Sequence, residues 1–234
     1  MSETLKRILN LGRNKSTDRV PRSPPPVCCK LYHFPIRDKA ESIRYMLAYL
    51  VVPYEDVQIS FEEFNTSDMS KDTPFGQLPV FQADGKKISG TLPILKYIAR
   101  TYHICPKSNY QEALADMYGE ILEKLAEELL PVNRAAYIMR DDEKKSQEWN
   151  KYKKNHLLPM MTKLEENIGK KKYLCGDRIT WVDLMMAEFI DRIDSLYEEN
   201  ILPKMCPNLW ALKNKIQQTA PLKMYILYRK KMEY

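Results

Sequence analysis

Nowhere does this chain run through the roughly 18 consecutive apolar residues that a membrane-crossing helix requires; its longest candidate, residues 46–52, is far too short. Cysteine is scarce and unpatterned. Cys28, Cys29, Cys105, Cys175 and Cys206 make an odd number, with no CxxC pair and no Cys/His spacing of a metal site, and no secretory leader precedes them. These absences argue against a disulfide framework and against a bound metal, and they favour free thiols in a reducing compartment, so a cytoplasmic protein is expected. Adjacent Cys28 and Cys29 read either as a redox pair or as ordinary members of a buried strand, and the strand reading gives them no chemistry. A basic stripe interleaved with aromatics is missing too. The net charge is +6, but six Lys/Arg against two acids fall in the first 27 residues, and Lys144, Lys145, Lys170, Lys171 and Lys172 read as solvated helix ends and faces. Nucleic acid is therefore not an expected partner.

What is present is apolar material enough for a proper core, 44% of 234 residues. Residues 1–27 stand apart as a basic tail ending in Pro21, Pro24, Pro25 and Pro26, a composition that does not fold alone. Leu5, Ile8 and Leu9 share a helical face there with Lys6, Arg7 and Arg13 nearby, a weak targeting or membrane-surface signal that Glu3 and Asp18 count against. From Cys28 the pattern changes. "CCKLYHF" reads as a strand, and "RDKAESIRYMLAYLV" sets Ala40, Ile43, Leu47, Leu50 and Val51 on one helical face. "YEDVQI" is a second strand, and residues 61–73 read as polar and irregular. "LPVFQ" and "KKIS" form a hairpin, because Asp84-Gly85 supplies the positive φ angles of a two-residue turn. "TLPILKYIARTY" is a helix that tolerates Pro93 in its first turn.

The order is thus β-α-β-(irregular)-β-β-α, with a parallel first part and an antiparallel second part. Beyond Cys105-Pro106 everything has helical period, with helices expected over residues 110–138 (bent near its end by Pro131), 143–168, 180–197, 208–219 and 222–231. Thr180 and Asp183 form a capping box, with Ile179 and Leu184 as its hydrophobic staple. The expected class is an α/β domain over residues 28–104 followed by an all-α domain over residues 108–234.

Three segments, "KLYHFPIRDKAESIRYMLAY", "TPFGQLPVFQADGKKISGTLPILKYIAR" and "YLCGDRITWVDLMMAEF", together resemble the cytosolic glutathione transferases, in particular the sigma-type, prostaglandin D synthase-like members. The similarity begins near Lys30 and leaves the tail outside. It implies a thioredoxin-like first domain (β-α-β-α-β-β-α), an all-helical second domain, glutathione as co-substrate, a small hydrophobic electrophile as its acceptor, and a homodimer. In "PFGQLPV" the bond before Pro79 matches the family's cis-proline, which leaves the N–H and C=O of Leu78 to pair with the cysteinyl backbone of glutathione as an added strand would; read alone, the same residues make a buried proline turn. By the same resemblance Gln77 approaches the glycyl end. Gly90 and Thr91 hold the γ-glutamyl carboxylate at the mouth of the next helix, where unpaired N–H groups and the helix dipole favour an anion. Thr91 read alone is a helix cap.

The chain departs from the family at several of these positions. The tyrosine that ends the first strand and favours the glutathione thiolate by a hydrogen bond is here His33. Tyr32 comes one residue early, and strand alternation turns it to the other face. His33 is the first candidate for the thiolate donor and Tyr32 the second, while a lone strand histidine is equally a structural hydrogen-bonder. Lys39 replaces the family's Arg, Phe64 a Trp that bonds the glycyl carboxylate, Gly90 a Gln, and Asp38 a Gly. Lys124, with Glu120 and Glu123 nearby, falls where the partner subunit's acid meets the γ-glutamyl ammonium. Tyr137, Ile138 and Tyr234 are expected along the electrophile pocket. The implied activity is conjugation of the glutathione thiolate to an electrophile; a glutathione-dependent isomerase of the prostaglandin type and a non-catalytic binding protein on the same scaffold are the alternatives.

Overall fold

The computed structural model describes residues 28–197 and 200–229; the tail, Lys231 and Tyr234 lie outside the described residues. Strand β1 (Cys29–His33) alternates buried and half-buried positions, with Leu31 wholly enclosed. Helix α1 (Lys39–Tyr49) returns the chain so that β2 (Glu55–Gln58) pairs parallel to β1, Lys30 facing Glu55. Strands β3 (Val80–Ala83) and β4 (Lys86–Ser89) add antiparallel on the other side, giving the order β2-β1-β3-β4. Asp84 and Gly85 sit at φ 47° and 83°, the pair of left-handed residues that the hairpin turn demands. Helix α4 (Thr91–Thr101) packs Ile94, Leu95, Ile98 and Ala99 into the core beside α1.

The stretch 61–73 is not irregular. It holds α2 (Phe61–Thr66) and α3 (Met69–Asp72), and the Ser60 hydroxyl caps the first by accepting from the Glu63 N–H at 3.0 Å. Only Phe64 of these helices is buried, so no apolar period announces them; the Ser-x-x-Glu capping pattern at residues 60–63 was the available signal.

The second half is helical throughout, with more breaks than the periodicity suggests. Helix α5 (Asn109–Glu128) stops short of residue 138 because Pro131 has no N–H to continue it. A four-residue helix α6 (Leu130–Asn133) and a π-helical turn (Arg134–Met139) follow, closed by Arg140 at φ 51°. Helix α7 (Asp142–Tyr152), capped by Asp141, runs through a second π turn (Lys153–Leu157) into α8 (Leu158–Ile168). Helix α9 (Trp181–Tyr197) is the central post, buried almost all round. At its start the Asp183 carboxylate accepts the N–H groups of Thr180 and Leu174, each at 2.8 Å, and the Thr180 hydroxyl donates to the carboxylate rather than accepting the Asp183 N–H, which goes to the Thr180 carbonyl. Burial pushes the Asp183 carboxyl up to about 6. Gly119 lets α5 close on α9, since a Cβ there would stand 2.6 Å from Trp181 Cη2. Helices α10 (Ile201–Met205), α11 (Pro207–Gln217) and α12 (Ala220–Tyr228) complete the half, and α12 lies on α1 through Tyr225, whose hydroxyl donates to Glu41 Oε1 at 3.0 Å. No described helix is long and apolar enough to cross a membrane.

Candidate functional site

A cleft of about 960 Å³ opens where the end of β1 and the loop before β3 face the helical half. One wall carries His33, Phe34, Ile36, Leu78 and Pro79; the other carries Leu130, Pro131, Asn133 and the π turn with Arg134, Tyr137, Ile138 and Met139. Apolar side chains thus line both walls, with Asn133, Arg134, Lys144 and Glu148 as polar points on the far one.

The Leu78–Pro79 bond is cis. Among the described residues neither the N–H nor the C=O of Leu78 makes a hydrogen bond, while the Pro79 carbonyl accepts the Gly90 N–H at 3.1 Å. Gly90, at φ 92°, turns the chain into α4 in a conformation that side-chain-bearing residues avoid. The first N–H groups of α4, from Thr91 and Leu92, make no hydrogen bond among the described residues, and Pro93 has none to offer. Two main-chain donors and the positive end of an 11-residue helix thus converge close to the Leu78 main chain. Gln77 is exposed, and its carbonyl accepts from the Ser89 hydroxyl at 3.4 Å. The Thr91 hydroxyl is buried and turned inward, toward Lys39 and Glu123 rather than the cleft.

His33 is only 2% exposed. Its Nδ1 lies 2.6 Å from the Phe34 carbonyl and its Nε2 2.8 Å from Asp56 Oδ1, and Arg44 Nη1 approaches both ring nitrogens at 3.0 and 2.8 Å. Burial alone would raise the Asp56 carboxyl, but the hydrogen bond and charge of His33, with Arg44, outweigh it and hold Asp56 below its ordinary range. The imidazole therefore ties β1, β2 and α1 together. Tyr32 points to the opposite face, donating to Gln82 Oε1 at 3.1 Å, and does not line the cleft.

Lys39 lines the cleft, yet its ammonium is held 3.3 Å from Glu123 and 3.3 Å from Glu127 on α5. Burial opposes the charge, and these two carboxylates still keep the Lys39 ammonium above its usual range. Asp38 accepts from Arg192 at 3.0 Å. Phe64 is buried edge-on against Phe34 (5.4 Å between ring centres), which stacks on Phe61 at 4.2 Å. Lys124 and Glu120 are exposed one turn apart on α5, whereas Glu123 is engaged with Lys39 inside the same chain. Sequence reasoning missed Phe34 and Phe61 as cleft residues and Asp56 and Arg44 as the partners of His33. Phe61 and Phe64, three residues apart after the Ser60 cap, were a usable clue; the partners of His33 come from two other elements and leave no local one. Among the described residues no group of three His, Cys, Asp or Glu side chains gathers as metal ligands.

Comparison with known proteins agrees with this geometry. Residues 28–100 match the family model "Glutathione S-transferase, N-terminal domain", and residues 130–229 match "Glutathione S-transferase, C-terminal domain". Glutathione S-transferase 4 of Caenorhabditis elegans is 31% identical over 208 residues, covering 86% of this chain and 96% of the relative. Hematopoietic prostaglandin D synthase of Mus musculus is 28% identical over 200 residues, with coverage of 86% and 96%. Among solved structures, monomeric Na-GST-3, a glutathione S-transferase of the hookworm Necator americanus, superposes with a TM-score of 0.75 at 27% identity, over 89% of this chain and 100% of that one.

Proposed function

The chain belongs to the glutathione S-transferase family, and on that premise we propose that it binds glutathione along Leu78 and the mouth of α4 and transfers the tripeptide's thiolate to a small hydrophobic electrophile. The observation that carries this reading is the meeting, in one cleft, of an unpaired Leu78 main chain beside a cis proline with the apolar wall of Leu130, Pro131, Tyr137 and Ile138. In the reaction the thiol gives up its proton to solvent water, the sulfur lone pair forms a bond to the electrophilic carbon, and the leaving group departs as an anion with the electron pair of the bond it breaks. Gln77 and the Leu78 main chain receive the glycyl and cysteinyl parts, Phe64 backs the glycyl side, and the N–H groups after Gly90, Thr91 first among them, receive the γ-glutamyl carboxylate. Lys39 stands beside them as a cation already shared with Glu123 and Glu127. We place the chain in the sigma type, divide it into domains over residues 28–104 and 108–234 after a tail of residues 1–27, and assign it to the cytoplasm as a homodimer; sedimentation at working concentration tests the last point, because one solved relative is described as monomeric.

Thiol activation separates the enzyme from its alternatives. His33 serves as thiolate donor only by exchanging its bond to the Phe34 carbonyl or to Asp56 for one to sulfur, with Tyr32 as second candidate from the opposite face. Those same two bonds favour, as a second reading, a protein that holds glutathione without activating it. A glutathione-dependent isomerase of the prostaglandin type shares the first half of the mechanism. Retention on immobilised glutathione with turnover of a chloronitrobenzene acceptor supports the transferase; retention without turnover selects the binder; no retention sinks every glutathione reading. In the transferase, His33→Tyr restores a phenol at the end of β1 and should raise turnover about tenfold or more.

A further inference from the structure

Six buried side-chain polar atoms make no hydrogen bond among the described residues, and four of them, Thr91 Oγ1, Glu123 Oε2, Glu188 Oε1 and Arg192 Nε, belong to side chains that line one small void. The void lies where α1 and α4 of the first half meet α5 and α9 of the second. Its other walls are Lys39, Ser42, Leu122, Ala126, Met185 and Phe189; the Ser42 hydroxyl donates to the Lys39 carbonyl at 3.1 Å, and the four atoms themselves are out of contact with bulk solvent. Thr91 and Arg192 are each 2% exposed and Glu188 1%.

Neighbouring bonds already use one further atom each of Glu123 and Arg192. Glu123 Oε1 takes the Lys39 ammonium at 3.3 Å, and Arg192 Nη1 donates to Asp38 at 3.0 Å. Arg192 Nε stands 3.0 Å from Glu188 Oε1, close enough for charge attraction but without hydrogen-bond alignment. What is left over is two donors, the Thr91 hydroxyl and the Arg192 Nε–H, and two acceptors, one oxygen each of Glu123 and Glu188.

That complement selects its ligand. A water molecule accepts two hydrogen bonds and donates two. Ammonium would need four acceptors, a metal ion would sit against Lys39 and Arg192, and an anion would face two carboxylates. The space open to a water's centre is about 10 Å³, room for a single molecule. We propose that this void is an internal water site, in which one molecule accepts from Thr91 and Arg192, donates to Glu123 and Glu188, and so joins the two halves of the chain by a shared hydrogen-bond hub. The site holds the Thr91 hydroxyl inward and leaves only main-chain donors at the mouth of α4. It stands or falls independently of what the cleft binds.

A crystal structure of the whole chain at a resolution that shows ordered solvent tests it. The expected result is one density peak within hydrogen-bond distance of at least three of the four atoms. Thr91→Ser should keep the peak; Thr91→Val, equal in shape but lacking the hydroxyl, should lose it and lower the unfolding midpoint by about 2–4 °C. No density in the void overturns the proposal, and so does a direct bond from the Thr91 hydroxyl to either glutamate. Should Thr91→Val fail to fold, the peak in the parent chain and in Thr91→Ser decides the matter.

Discussion

Helix α1 borders two clusters of buried charge. On one flank Glu41 meets Arg44 at 2.8 Å and Arg229 at 3.2 Å with Arg37 close by, while Asp191 takes Arg37 at 2.8 Å, Arg229 at 3.2 Å and the Tyr45 hydroxyl at 2.8 Å. On the other flank lie Lys39, Glu123, Glu188 and Arg192. Glu41 and Glu188 are equally enclosed, at 0% and 1% exposure, yet they shift in opposite directions. Burial would raise Glu41, but Arg44, Arg37 and Arg229 outweigh it and hold the carboxyl below its ordinary range. Glu188 is pushed up to about 7 by burial, with Arg192 and Arg37 too little to offset it and Glu41 and Asp191 adding to the push. The difference between them lies in contact: three guanidinium groups stand within 4 Å of Glu41, whereas Glu188 has Arg192 alone at that range, itself shared with Asp38, and Arg37 acts on it only from farther off.

The comparison can be broken most sharply at Glu41. Glu41→Ala removes the carboxylate that Arg44, Arg37 and Arg229 share, leaving Asp191 alone to hold Arg37 and Arg229, and should cost about 3–5 kcal/mol of unfolding free energy in urea titrations. A loss below about 1 kcal/mol would erase the distinction between the clusters. Next in size, His33→Ala removes the partner of Asp56 and a neighbour of Arg44, for an expected loss of about 1–3 kcal/mol. The same variant, compared with His33→Tyr for turnover, separates the imidazole's structural part from any chemical one.

The smallest effect is the most diagnostic. A folded-state value for Glu188 above its unfolded one gives stability that is present at low pH and lost as pH rises through about 7. The unfolding free energy from urea titrations should therefore rise by about 1 kcal/mol from pH 8 to pH 6, and Glu188→Gln should remove most of that gain, leaving a smaller part owed to Asp183, which burial also raises. Glu41, Asp56 and Asp191 are held low and act in the opposite sense. Their stability is lost as pH falls below about 4, in the parent chain and in Glu188→Gln alike. A flat profile between pH 8 and pH 6 in the parent would show that Glu188 stays charged.

Features fixed by neighbours in sequence were legible without coordinates: the β1–α1 unit, the Asp84-Gly85 hairpin, the Pro79 turn and the helix after Gly90 each rest on a few adjacent residues. The cleft walls at Tyr137 and Ile138 were legible through family resemblance. Helices α2 and α3 were not, because a single buried Phe64 generates no period, and the π turn at residues 134–139 has no composition of its own. Partners brought together by tertiary folding were invisible. Arg37 and Asp191 lie 154 residues apart, Glu41 and Arg229 188 residues apart, and alternation along β1 gives the face of His33 but not the Asp56 waiting in β2. The inward turn of Thr91 depends on α5 and α9, which no reading of α4 alone supplies.

Gly90, at φ 92°, is the one position at the helix mouth where a side chain is barred on conformational grounds. The donors beside it belong to the peptide bonds of Thr91 and Leu92, and exchanging either side chain leaves them in place; only a proline deletes one. Recognition of this sort writes no consensus. Thr91 and Leu92 can drift without losing it, and an alanine at either would pass over it in silence, whereas an alanine at Gly90 would strain the turn that aims both donors.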